Sequence, residues 1–172
     1  LGSLANTMGI IYKNRGEYAK ALEMYNLYSS LSNEIGDEYS SAISLNNIGI
    51  VYYRMNDFPR AEAYYMKTIE RFKSMGMSEF LGDVYHNLYN LYNDKNDKTK
   101  ADRAFKECEV FFNAKGNSLG LAKLYLSRAT SELAMSNTGM AMKYVSKVSA
   151  LASSSDLQVL YSEIADIKYQ LS

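Results

Sequence analysis

The chain has few of the side chains that usually carry chemistry. It contains 172 residues with one histidine, His86, one cysteine, Cys108, and no tryptophan. A protein metal site needs three or four ligands. Tyr89 and Asn90 occupy the helical spacings after His86 where a second ligand would stand. We therefore predict no metal ion and no other cofactor.

Nucleophilic catalysis and phosphate binding are also not favoured. Cys108 and His86 are predicted on different helices that face different neighbours, which does not support a cysteine–histidine pair, so a buried packing thiol is the interpretation of Cys108. The glycine-containing segment 116–120 lacks the lysine and the preceding strand of a phosphate-binding loop. The charge run over residues 94–100 is interpreted as a solvated turn. The sequence thus predicts a protein that is not an enzyme.

Composition indicates a folded protein and disfavours two kinds of partner. Hydrophobic residues make up 47% of the chain and charged residues 22%, as in ordinary globular proteins. The 19 basic and 19 acidic residues cancel, so neither nucleic acid nor an anionic membrane is a predicted partner. The N-terminus has no signal-peptide pattern and one cysteine cannot form an internal disulfide. A cytoplasmic location is therefore predicted.

A repeat of 40 residues must position whatever site exists. One alanine marks each of four units, and aromatic and glycine residues recur around it. The recurring sets are Ala21, Ala61, Ala101 and Ala141; Tyr25, Tyr65, Phe105 and Val145; Tyr12, Tyr52 and Tyr92; Gly9 and Gly49; and Gly36, Gly76 and Gly116. Each unit contains two stretches of apolar residues at helical spacing, which predicts a pair of helices. The small residues are interpreted as close-packing positions between the two helices.

We expect one domain over residues 1–172, with four helix pairs and a C-terminal capping helix. The pairs are predicted at residues 1–36, 37–76, 77–116 and 117–154, and the capping helix at 155–172. The apolar stripe of the last helix is predicted to comprise Leu157, Leu160, Tyr161, Ile164 and Leu171. Because the chain starts inside its first helix, we also expect residues upstream in a longer protein.

The predicted turns share residue types that tolerate or support a helix end. Gly16, Asn56 and Asn96 occupy one repeat position, with Ser136 in the fourth unit, and Gly36, Gly76 and Gly116 occupy the other turn. Glycine and asparagine adopt the left-handed backbone that such turns require. The residues that follow, Asp57, Asp97 and Asn137, are predicted to cap the next helix, whereas Glu17 is the weak member of that set.

These positions give the chain its resemblance to a known family. The patterns Gly9-x-x-Tyr12 and Gly49-x-x-Tyr52, with Ala61-x-x-x-Tyr65, resemble tetratricopeptide repeats (TPR). The 40-residue unit is similar to the longer repeats of kinesin light chains, the adaptor LGN and bacterial Rap-type regulators. The fourth unit departs from the pattern, since Ala129 and Glu132 replace the family's glycine and tyrosine. The resemblance implies an all-α fold, a right-handed α-solenoid of antiparallel helix pairs.

The resemblance also implies a binding face. In this family the first helix of each pair lines a concave groove, and some members use a ladder of asparagines, whose positions Asn47 and Asn87 match and Thr7 and Ser127 do not. An asparagine amide can donate to and accept from one peptide unit of a ligand. The candidate partner-binding residues carried over are Asn6, Lys13, Asn46, Asn47, Ile50, Tyr53, Arg54, His86, Asn87, Asn90, Asn93 and Lys123.

Two functions follow as expectations. The first is a protein–protein interaction scaffold that binds an extended peptide segment of a partner in the groove. The alternative is a ligand- or peptide-sensing regulatory domain of a larger signalling or transcription-regulating protein. The sequence leaves the partner and the oligomeric state open.

Overall fold

The computed structural model describes residues 1–151 and 160–170, which form nine α-helices and no strand. The helices are α1 (Gly2–Asn14), α2 (Tyr18–Glu34), α3 (Glu38–Arg54), α4 (Phe58–Ser74), α5 (Leu81–Asp94), α6 (Lys98–Ala114), α7 (Ser118–Ala134), α8 (Thr138–Leu151) and α9 (Tyr161–Gln170). A 3₁₀ turn, Ser78–Phe80, precedes α5. Each helix packs on the helices before and after it. The predicted all-α solenoid of helix pairs is confirmed.

The turn between α3 and α4 shows how the chain reverses within a few residues. Asn56 adopts a left-handed backbone with φ of 59°. The N–H groups of Asn56 and Asp57 donate to the carbonyls of Tyr53 and Tyr52, both at 2.9 Å, which satisfies the end of α3. The Asp57 carboxylate then accepts from the N–H of Arg60 at 3.2 Å and caps α4. Two adjacent residues therefore end one helix and start the next.

A residue with a left-handed backbone recurs at every turn predicted from the repeat. The φ angles are 76° at Gly16, 72° at Gly36, 69° at Gly76, 55° at Asn96, 62° at Gly116 and 61° at Ser136. Asp97 caps α6 through the N–H of Lys100 at 3.1 Å, and Glu17 makes no capping bond to α2, both as predicted. Asn137, the predicted cap of α8, donates its amide to Glu132 at 2.9 Å.

Small residues and tyrosine rings form the contact between the two helices of a pair. A Cβ atom added to Gly49 would lie 2.7 Å from the ring of Tyr65, and one on Gly9 would lie 2.6 Å from the ring of Tyr25. The recurring alanines are almost fully buried, with exposures of 0% at Ala21, 0% at Ala61, 2% at Ala101 and 0% at Ala141. The predicted packing role of these positions is confirmed.

Successive pairs stack so that their first helices form one layer. Helices α3 and α5 contact each other, as do α5 and α7, while α2, α4 and α6 each separate one first helix from the next along the chain. We call α1, α3, α5 and α7 the first helices. Within the described ranges, no helix is both long enough and apolar enough to span a membrane.

Helix α9 covers the end of the stack by packing on α7 and α8. Leu160 and Ile164 are buried, as the predicted stripe requires, but Tyr161 is 51% exposed. Ile167, which lies one turn after Ile164, takes the third buried position. The prediction for Tyr161 is therefore wrong, because the helix turns that side chain toward solvent. Leu157 and Leu171 lie outside the described residues.

Candidate functional site

Several side-chain hydrogen bonds that join neighbouring first helices share one offset along the chain. The amide nitrogen of Asn47 donates to Oδ1 of Asn6, and that of Asn87 donates to Oδ1 of Asn46, both at 3.1 Å and both across 41 residues. His86 Nε2 lies 2.9 Å from Ser127 Oγ at the same offset of 41 residues. The repeat period is 40 residues, so each first helix is staggered by one residue on the next. We call these three contacts the inter-repeat ladder.

An open groove of about 880 Å³ runs beside the first helices at the C-terminal half of the solenoid. Helix α3 contributes Tyr53 to its lining, α5 contributes His86 and Asn90, and α7 contributes Lys123 and Ser127. Leu160 and Glu163, at the start of α9, also line it. Five of the predicted partner-binding residues lie here, namely Tyr53, His86, Asn90, Asn93 and Lys123.

The remaining predicted residues lie outside this groove. Asn6, Asn46, Asn47 and Asn87 form the two amide pairs of the inter-repeat ladder. Lys13 and Arg54 lie in the last turns of α1 and α3. Ile50 is half-buried and packs against the hydrophobic core.

Tyr53 and Asp94 form a further contact between first helices, again across 41 residues. The Tyr53 hydroxyl donates to Asp94 Oδ2 at 2.5 Å. Burial, together with this bond to a carboxylate, raises the pKa of the phenol well above its usual value. Nearby, Asn93 donates to the Tyr89 hydroxyl at 3.3 Å and accepts from the Ser131 hydroxyl at 3.1 Å. These bonds hold the polar wall of the groove in a fixed arrangement.

A charged cluster on α7 was missed from the sequence. Arg128 donates to Glu132 at 2.8 Å and to Asp102 at 2.5 Å. Its guanidinium lies 5.5 Å from the ring centroid of Phe105 and 5.9 Å from that of Tyr144. Burial alone would lower the pKa of Arg128, but its bond to Asp102 and the neighbouring acidic groups raise it. Arg128 therefore stays charged and fixes the groove wall.

The sequence did contain a signal for that cluster. Glu132 occupies the repeat position that is Tyr12, Tyr52 and Tyr92 in the other units, yet it is only 4% exposed. A buried carboxylate requires a charged partner. A search for a basic residue one turn away on the same helix would have found Arg128.

His86 is half-buried in the groove wall. Burial, aided by the positive charge of Lys123, lowers the pKa of the imidazole to about 4. The ring is therefore neutral at neutral pH, and its Nε2 is occupied by the contact with Ser127. In the ranges that the structure describes, no group of three or more His, Cys, Asp or Glu side chains could hold a metal ion.

Cys108 is fully buried on α6. Its thiol donates to the carbonyl of Gly82 on α5, with an Sγ–O distance of 3.2 Å, so this bond is made to the preceding helix of the same pair. Burial raises the pKa of the thiol well above its usual value. A thiol without access to solvent and without thiolate character is not a nucleophile, which agrees with a packing role.

Comparisons with known proteins agree with this fold. Residues 1–74 match the family model for the tetratricopeptide repeat. The crystal structure of BtubC (BKLC) from P. vanneervenii is similar, with a TM-score of 0.72 and 23% sequence identity. The match covers 88% of this chain but 63% of the BtubC chain. No curated protein matches the sequence significantly. Residues 1–74 therefore match the tetratricopeptide repeat, and the helix pairs that follow continue the same solenoid fold.

Proposed function

We propose that the layer of first helices binds an extended segment of a partner protein. Tetratricopeptide repeats generally mediate protein–protein interaction. The observation that carries the proposal is the groove of about 880 Å³, to which three successive first helices contribute polar side chains. A groove that crosses several repeats fits a ligand that is long and narrow, such as an extended peptide.

Amide groups in this layer have unused hydrogen-bonding capacity. Asn90 makes no side-chain hydrogen bond within the described residues, although it is only half-exposed. Asn47 and Asn87 each use one N–H in the inter-repeat ladder, which leaves their second N–H and their carbonyl oxygen for a ligand. An extended backbone presents one donor and one acceptor per residue. These amides can therefore bind a peptide backbone without selecting one side chain.

The charges of the groove fit a protein segment better than a nucleic acid. Four acidic residues line it, Asp94, Asp102, Glu132 and Glu163, together with three basic residues, Lys98, Lys123 and Arg128. Nucleic-acid binding depends on an excess of positive charge, which neutralises phosphates. A nearly balanced groove provides no such excess, whereas peptides of mixed sequence tolerate it.

The experiment compares one substitution in the groove with a matched one outside it. Peptides are selected by wild-type protein from a random 15-residue display library and titrated calorimetrically into Asn90→Ala. Loss of a hydrogen bond to the peptide should weaken binding about three- to tenfold. The control is Asn26→Ala, because Asn26 is an exposed asparagine on α2, outside the first-helix layer.

The same peptides locate the binding face directly. Hydrogen exchange with bound peptide should slow in the exposed turns of α3, α5 and α7. Peptides that protect only α4 and α6, or that bind Asn90→Ala and Asn26→Ala with equal affinity, would show that the groove is not the binding site.

A further inference from the structure

The offset between first helices identifies a second pair of residues that must face each other. Tyr53 and Asp94 meet at the last turns of α3 and α5, across 41 residues. The inter-repeat ladder has the same offset at three other contacts. One repeat earlier, the residues at these two positions are Lys13 and Arg54, which lie in the last turns of α1 and α3.

Between α1 and α3, the two cations Lys13 and Arg54 therefore occupy the positions that Tyr53 and Asp94 occupy between α3 and α5. Lys13 is half-buried, and burial lowers the pKa of its ammonium group, with the charge of Arg54 adding to the effect. Neither Lys13 nor Arg54 takes part in any ion pair of the described residues. A helix dipole favours a cation at each of these helix ends separately. It does not compensate the repulsion between two cations placed together.

The position of the pair connects it to the groove. Tyr53 and Asp94 both line the groove, and Lys13 and Arg54 occupy the equivalent positions one repeat toward the N-terminus. An extended ligand that continues along the first helices would pass this pair next. A guanidinium can bind a carboxylate through two parallel N–H bonds, and a neighbouring ammonium adds a further charged donor.

We propose that Lys13 and Arg54 form a carboxylate-binding subsite that holds an acidic side chain of the bound segment. The inference rests on the proposed function, because it assigns the subsite to the same ligand. It adds a specificity: the segment carries Asp or Glu at a fixed distance from the residues that contact Asn90. The carboxylate would lie between the two cations and offset one of their two positive charges, so that binding relieves a repulsion present in the free protein.

A direct test observes Lys13 by NMR in protein whose lysines carry ¹³C-methyl groups. The signal of Lys13 is assigned by its loss in Lys13→Gln. The probe is acetyl-diglutamate amide, which carries side-chain carboxylates only. We expect a saturable shift of the Lys13 signal, and about tenfold weaker binding in Arg54→Gln. Lys106, an exposed lysine on α6 outside the first-helix layer, serves as the control signal and should shift little and without saturation.

Three further probes separate the sources of the anion. Acetyl-diglutamine amide carries no carboxylate and should leave Lys13 unshifted. Acetyl-diglutamine with a free C-terminus tests a chain-terminal carboxylate, and acetyl-phosphoserine amide tests a phosphate. The assignment to an acidic side chain is overturned if the Lys13 signal saturates with the free C-terminus or with phosphoserine but not with the diglutamate probe. Equal responses of Lys13 and Lys106 to diglutamate overturn the subsite itself.

Selection of peptides distinguishes failure of the subsite from failure of the proposed function. Peptides that wild type selects should carry an acidic residue at a fixed position, and Lys13→Gln/Arg54→Gln should bind them about tenfold more weakly. If the double variant binds them as well as wild type while Asn90→Ala does not, the subsite is wrong and the groove still binds peptide. If both Lys13→Gln/Arg54→Gln and Asn90→Ala bind the peptides as well as wild type does, both proposals fail.

Discussion

The ring of Tyr65 lies so close to the backbone of Gly49 that a Cβ atom on the glycine would come within 2.7 Å of Tyr65 Cε1. Tyr65 is 1% exposed, so its ring lies in the packed interior, where a shift would displace neighbouring side chains. We expect Gly49→Ala to lower the free energy of unfolding by about 1–3 kcal/mol, through overpacking. Urea denaturation measures the change.

The control for that substitution is Gly139→Ala on α8. A Cβ atom there would meet nothing within 4 Å, and alanine is the better helix former. The control should keep the stability of wild type or gain up to about 0.5 kcal/mol. Equal losses in the two variants would mean that the tyrosine contact is not the cause.

Gly76 tests the left-handed turns. Its φ is 69°, and open space surrounds the position, so only backbone conformation decides the cost of a side chain. Gly76→Val should lose about 1–2 kcal/mol of stability because a branched side chain disfavours this backbone. Gly76→Asn should lose less than half of that, since Asn56 and Asn96 adopt the same conformation. If valine and asparagine melt alike at this position, the turn does not hold a left-handed residue.

The inter-repeat ladder predicts a stability loss on truncation. Asn47 and Asn87 each donate to an asparagine of the preceding first helix. Asn47→Ala plus Asn87→Ala should therefore lower the free energy of unfolding by about 0.5–1.5 kcal/mol for each bond. Asn26→Ala is the control and should keep the stability of wild type. If chemical denaturation gives the same free energy of unfolding for wild type, the double variant and the control, the ladder does not stabilise the fold.

His86 predicts a pH dependence of stability. The folded-state pKa is about 4, below the value of 6.5 for a free histidine, so the unfolded chain binds the proton more readily. Stability from this group is therefore complete above about pH 6.5 and is lost as the pH falls to about 4, by roughly 1–3 kcal/mol. His86→Gln should reduce the loss over that interval, measured as the difference between the two denaturation profiles. Parallel profiles would mean that His86 does not contribute.

The sequence predicted the fold because each of its determinants is local. Ala61 and Gly49 permit close helix packing through their size alone, and Asn56 and Gly76 tolerate a left-handed backbone whatever surrounds them. The period of 40 residues then fixes how often these features recur. Helix number and turn positions follow from that period without knowledge of long-range contacts.

The site could be predicted only in part because it depends on the stagger between helices. The sequence placed Asn47 and Asn6 in the same layer, but the offset of 41 residues that pairs them is a property of the packed solenoid. In the charged cluster, the contact between Arg128 and Glu132 follows the spacing of one helical turn and could have been found in the sequence. The contact between Arg128 and Asp102 could not, because Asp102 lies on α6, 26 residues earlier in the chain, and no spacing rule within one helix connects the two.

Because of this stagger, removal of a whole unit would keep the amide pairing between the two first helices that then meet. Excision of residues 37–76 would bring α1 against α5, and Asn6 would then face Asn87, so the amide pair would be retained. Lys13 would face Asp94, so a repulsive pair of cations would become an ion pair. The gain or loss of one repeat would thus change which ligand charge the groove selects, while the arrangement of stacked helix pairs is kept.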